Sequence, residues 1–129
     1  MLLELPFSNY TDTYTYSVSA LMEKGIDILL AHVERYDPMV VNEFIALGAK
    51  AQINANAFSG LFSIDKCVLD WLDSGCVAAI GSDIHGVDKR AYEHYAKSFK
   101  KIKKYIGGII ESSDKMWNEF VPYRELILV

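Results

Sequence analysis

Apolar positions along the chain fall into short continuous runs, and each run is followed by helical spacing. The runs are Leu2 to Leu5, Ile26 to Ala31, the weaker Ala51 to Asn54, and Val77 to Ile80. None alternates cleanly between polar and apolar, which suits parallel strands covered on both faces. Between them the helices are well punctuated. Asp12 can cap a first helix that turns Val18, Leu21 and Met22 inward and stops at Gly25. Asp37 and Pro38 form a cap and first-turn pair ahead of Val41, Phe44 and Ile45, with Gly48 as the stop. Ser63 can cap a third helix carrying Val68, Leu69 and Leu72 and ending at Gly75. A longer fourth helix is predicted from the spacing of Tyr92, Tyr95, Ala96, Phe99, Ile102 and Ile106 before Gly107 and Gly108, then a short last helix from about Ser113 to before Pro122.

The order is therefore β-α four times, with strand starts about 25 residues apart. Such alternation implies right-handed crossovers and a parallel sheet or part of a barrel. No linker or low-complexity segment interrupts residues 1–129, so the chain reads as one α/β domain or part of one.

Composition narrows the functional classes. With 51% hydrophobic and 23% charged residues the chain has the makeup of a folded globular protein. A net charge of −4 argues against a nucleic-acid surface. The one basic run, Lys97, Lys100, Lys101, Lys103 and Lys104, shares its segment with Phe99 and Ile102 and reads as a solvated helix face. No stretch approaches the ~20 apolar residues of a membrane helix. Met1 to Glu4 lacks the basic start of a signal peptide, so a cytoplasmic protein is expected. Cys67 and Cys76 form no CxxC pair and read as buried free thiols.

The candidate chemistry lies at the C-terminal ends of the strands, the edge that carries active sites in βα folds. Those ends hold Glu4, His32, Gln52 with Asn54, and Asp83 with His85. Histidine and carboxylate together are ligands for divalent zinc, manganese and iron. Asp83 and His85 stand two apart after a strand, so both can face one ion or two adjacent ones. Arg35 and Arg90 follow this set closely, and a guanidinium beside a metal cluster suits a phosphate ester through its planar fork. The competing reading pairs each arginine with a local carboxylate, Glu34 or Asp88. Gln52 and Asn54 are read equally as orienting donors or as strand ends, His94 as a surface or structural residue, and Tyr36 as a weak pocket candidate. Cysteine-phosphatase spacing, a Walker loop, a GxGxxG fingerprint and a G-x-S-x-G elbow are all missing.

The series Glu4-Leu5-Pro6, Leu30-Ala31-His32-Val33-Glu34-Arg35-Tyr36, Gln52-Ile53-Asn54-Ala55 and Ile80-Gly81-Ser82-Asp83-Ile84-His85 resembles the CpsB/CapC tyrosine phosphatases of the polymerase and histidinol phosphatase (PHP) superfamily. The resemblance implies a distorted, TIM-like βα barrel, of which this chain would form about half as one partial domain over 1–129. It makes Glu4, His32, Asp83 and His85 metal ligands and Arg35 and Arg90 the phosphate-binding arginines. It implies divalent ions, commonly manganese, with iron, zinc or magnesium as alternatives. The implied partner is a phosphotyrosine protein, a bacterial tyrosine kinase controlling capsule or exopolysaccharide synthesis. The alternatives are a non-catalytic remnant acting through association and another PHP-type phosphoesterase.

Departures from the family pattern are Val33 for proline, Ile84 for alanine and Gly86 for asparagine. The histidines are His32, His85 and His94, so the His-x-His pair that opens family enzymes is missing, and the resemblance is to their C-terminal half. Half a barrel would leave open edges and an exposed apolar face. Association with a second copy, or with an N-terminal half, is expected.

Overall fold

The structure, a computed structural model, describes residues 1–6, 10–58, 63–84 and 89–118, with the side chains of 89–92, 94 and 118 outside that description. Four strands, β1 (Leu2–Leu3), β2 (Leu29–Leu30), β3 (Lys50–Asn54) and β4 (Val77–Gly81), form one sheet. All neighbours are parallel and the spatial order is the chain order, β1-β2-β3-β4. That order is the winding of a βα barrel rather than of a doubly wound sheet, whose strand order reverses part-way. The α/β class and the parallel sheet expected from the sequence are present.

The crossovers are α1 (Asp12–Glu23), α2 (Pro38–Ala46) and α3 (Lys66–Ser74). Their apolar stripes pack on one face of the sheet. Val18, Val41, Phe44, Val68, Trp71 and Leu72 meet Leu30, Ala51, Ile53 and Val77 in a single buried core. The Asp37 carboxylate accepts the Met39 N–H at 2.8 Å, the expected cap of α2. Gly75 ends α3 in the left-handed conformation, at φ 72°. Two caps differ from expectation. Thr11 and Asp65 hold the N-cap positions of α1 and α3, so Asp12 is already helical and Ser63 precedes its helix by more than a cap.

The second half of the chain departs further. Instead of one long helix stopped by two glycines, α4 (Lys89–Lys101) ends at Ile102 and a 3₁₀ turn, Lys103–Tyr105, leads into α5 (Ile106–Asn118). Ile102 is fully buried, and anchoring it there re-aims the chain so that Ile106 and Ile109 reach the core. Gly107 and Gly108 fall in the first turn of α5 rather than after a helix. Each glycine costs about 1 kcal/mol of helix propensity, which burial of the apolar side of α5 offsets.

The helix α5 also corrects the expectation of a bare second face. It lies against β4, and Met116 joins Leu29 and Ala78 in a small buried cluster on the side opposite α1–α3. The open edges remain: among the described residues β1 pairs only with β2, and β4 only with β3. Leu2 on β1 is 66% exposed. Among the described residues no helix is long and apolar enough to cross a membrane.

Candidate active site

The second sheet face is covered by α5 at the N-terminal ends of β2 and β3 and along Ala78–Ile80 of β4. Its C-terminal part opens into a cavity of about 460 Å³ lined by residues from all four strand ends, including Glu4, His32, Arg35, Gln52, Asn54 and Asp83. The strand periodicity explains the set. Residues two apart share a face, so Leu2 with Glu4, Leu29 with Ala31, and Gln52 with Asn54 look the same way. On β4 a bulge between the pairs Ala51–Val77 and Gln52–Ala79 shifts the register by one residue. Ala79, Gly81 and Asp83 all line the cavity as a result.

At the end of β2 the chain turns sharply. His32 sits in the left-handed region (φ 37°, ψ 53°) and precedes a 3₁₀ turn, Val33–Arg35. Asp83, just past β4, is also left-handed, at φ 52°. For residues other than glycine this conformation costs roughly 1–2 kcal/mol, and such strain gathers at functional sites. In the described part of the chain these are the two positive-φ residues other than glycine, and both were singled out from the sequence as ligands.

Hydrogen bonds tie these ends together. The His32 Nε2 and Glu4 Oε1 atoms are 3.0 Å apart. The His32 backbone N–H donates to Gln52 Oε1 at 2.7 Å, and Gln52 Nε2 donates to Asn54 Oδ1 at 2.8 Å. The Asn54 N–H donates to Glu34 Oε2 at 3.1 Å. Arg35 Nη2 donates to Asp83 Oδ2, so the arginine's carboxylate partner is the candidate ligand across the cavity and not its neighbour Glu34. His32 is only 7% exposed and its ring lies 5.4 Å from that of Tyr36. The Tyr36 hydroxyl accepts the Leu5 N–H at 3.0 Å, and burial pushes its pKa above the ordinary 10.0. Tyr36 is thus a neutral strut of the turn rather than an acid or base near pH 7.

Gly81 and Glu34 carry more of this arrangement than the sequence reading assigned them. A Cβ on Gly81 would lie 2.1 Å from Gln52 Nε2 and 3.0 Å from Asn54 Oδ1, so a glycine is needed for the amide ladder to fit. A lone glycine inside a strand pattern is the signal for such an approach. No comparable signal marks Glu34, whose role depends on which backbone N–H faces it.

Of the six predicted site residues, Glu4, His32, Arg35 and Asp83 come together around the cavity. His85 lies outside the described residues. Arg90 is the second residue of α4, and its side chain, like that of His94, is outside them too. The donor types around the cavity suit a divalent cation. Their number does not complete a shell, for among the described residues no three His, Cys, Asp or Glu side chains converge as a metal site.

Residues 1–116 match the family model for capsular polysaccharide synthesis, CpsB/CapC. The fold is similar to a solved structure from work on YwqE from Bacillus subtilis and CpsB from Streptococcus pneumoniae, described as unique metal-dependent tyrosine phosphatases. That similarity has a TM-score of 0.58 at 22% identity and covers 76% of this chain and 43% of the other. The chain thus spans less than half the length of that structure. No curated protein matches it.

Proposed function

The chain belongs to the CpsB/CapC capsular polysaccharide synthesis family, and from that premise we propose that it carries part of the active site of a metal-dependent protein-tyrosine phosphatase. The substrate in this reading is phosphotyrosine on a bacterial tyrosine kinase of capsule or exopolysaccharide synthesis, in the cytoplasm. The observation that supports it best is the cavity at the strand ends, where Glu4, His32, Arg35 and Asp83 meet. Leu2, Leu29, Ala31, Ala79 and Ile80 add apolar wall to that polar rim. An aromatic ring bearing a phosphate has the same two-part chemistry.

Each group has a stated role. Glu4, His32, Asp83 and His85 hold divalent metal, commonly manganese; when bound, such ions supply hydroxide at neutral pH and offset phosphoryl charge. Arg35 and Arg90 grip the phosphoryl oxygens. Before substrate enters, Arg35 is engaged by Asp83, so a phosphoryl dianion has to compete with that carboxylate for the guanidinium. The His32 ring is held beside Glu4 by the turn that Tyr36 and Gln52 brace. The open edges of β1 and β4 are the places where a second copy, or an N-terminal half, completes the barrel.

A second reading, a non-catalytic member that acts through association, is favoured by the chain covering only 43% of the solved phosphatase structure it resembles. Hydrolysis of a phosphotyrosine peptide with added Mn²⁺, beside sugar and amino-alcohol phosphates, separates the two. The expected result is turnover of the peptide that falls ~10²–10³-fold in Arg35→Ala, the usual loss for one donor to a developing anion. No turnover, alone or with an N-terminal half supplied, would leave association as the function.

A further inference from the structure

The geometry points to Gln52 as a positioning residue that fixes the His32 turn by standing in for a missing strand carbonyl. The backbone N–H groups of β2 alternate between its neighbours. Those of Leu29 and Ala31 bond to Met1 O and Leu3 O of β1. The adjacent amide, that of His32, faces β3, where it meets a side chain instead of a carbonyl. Gln52 Oε1 accepts it at 2.7 Å.

This substitution has a physical consequence. His32 must leave the strand in the left-handed region to begin the 3₁₀ turn, a conformation that costs roughly 1–2 kcal/mol. A buried N–H without an acceptor would cost about 1–3 kcal/mol more. The Gln52 carbonyl removes that second cost only while the turn is in place, so it selects this conformation of His32 over an extended one. The amide end of Gln52 is itself fixed, donating to Asn54 Oδ1 at 2.8 Å. Asn54 in turn gives its N–H to Glu34, within the same turn. His32 and Glu34 of this turn are therefore both held by β3, and Gly81 leaves the room this requires. A shorter amide would not reach across.

The inference rests on the metal-ligand role proposed for His32, and its test separates the two claims. Amide hydrogen exchange at His32 reads the clamp directly, and Mn²⁺ titration reads its consequence. In Gln52→Leu the His32 amide should exchange at least about 10-fold faster, while Gln52→Glu, which keeps an acceptor, should protect it. Mn²⁺ affinity should fall about 10–100-fold in Gln52→Leu, the usual loss when a group orienting a ligand is removed. Gln52→Asn keeps the amide one methylene short and should behave as Gln52→Leu does, which keeps the claim testable should the leucine variant fail to fold. Unchanged His32 protection in Gln52→Leu or Gln52→Asn would overturn the inference. A wild-type chain that binds no Mn²⁺ but loses His32 protection in the variants would retain the clamp and sink the ligand role.

Discussion

One face of the sheet serves two purposes, and the comparison between its halves explains the molecule. Toward the N-terminal ends, Leu29 and Ala78 lie beneath Met116 of α5 in a closed apolar contact. Leu29 also reaches the open cavity, which Ala31, one step up β2, lines with Glu4, His32 and Asp83. The strands, their twist and their spacing are common to both halves. What differs is cover: where α5 lies on the sheet, small and apolar residues are selected; where it stops, polar groups remain in reach of solvent. The open half holds an Arg35–Asp83 pair and the two non-glycine residues with positive φ among the described residues, His32 and Asp83. Packing energy gathered on α1–α3 and under α5 is what lets the rim hold strained residues.

If that division is right, changes under α5 should lower stability and leave the rim intact. Met116→Ala removes the side chain that closes the floor and should cost about 2–3 kcal/mol in chemical denaturation, with His32 amide protection unchanged. Loss of that protection at the same time would show that the two halves are one unit. Asp37→Ala removes the cap of α2, the helix that follows the rim turn, and should cost about 1 kcal/mol by the same measurement. The smallest effect is expected at the rim itself. Asp83→Asn keeps a residue that tolerates the left-handed region and weakens a part-exposed ion pair with Arg35, so stability should change by less than about 1 kcal/mol. A larger loss would mean that the Arg35–Asp83 pair supports the fold rather than the site.

Much of this was legible in the chain. Continuous apolar runs marked the strands, although β1 and β2 are shorter as ladders than the runs that announce them. The Asp37-Pro38 pair and Gly75 marked helix ends because their chemistry is local: a cap or a left-handed stop needs only its neighbours. The same locality brought Glu4, His32 and Asp83 to one rim once strand ends were aligned. The break at Ile102 and the path of α5 were not legible, because Gly107 and Gly108 look like a stop until Ile106, Ile109 and Met116 find apolar partners far away in sequence.

The sequence by itself determined the parallel order of βα units and the strand-end donors, because strand period, caps and ligand chemistry are properties of a few adjacent residues. Only the tertiary structure decided that Arg35 faces Asp83 rather than Glu34, that Gln52 takes the His32 amide, and that Gly81 must be small. Those outcomes depend on distances between residues about 20 to 50 positions apart, which the register of neighbouring strands sets and no local pattern carries.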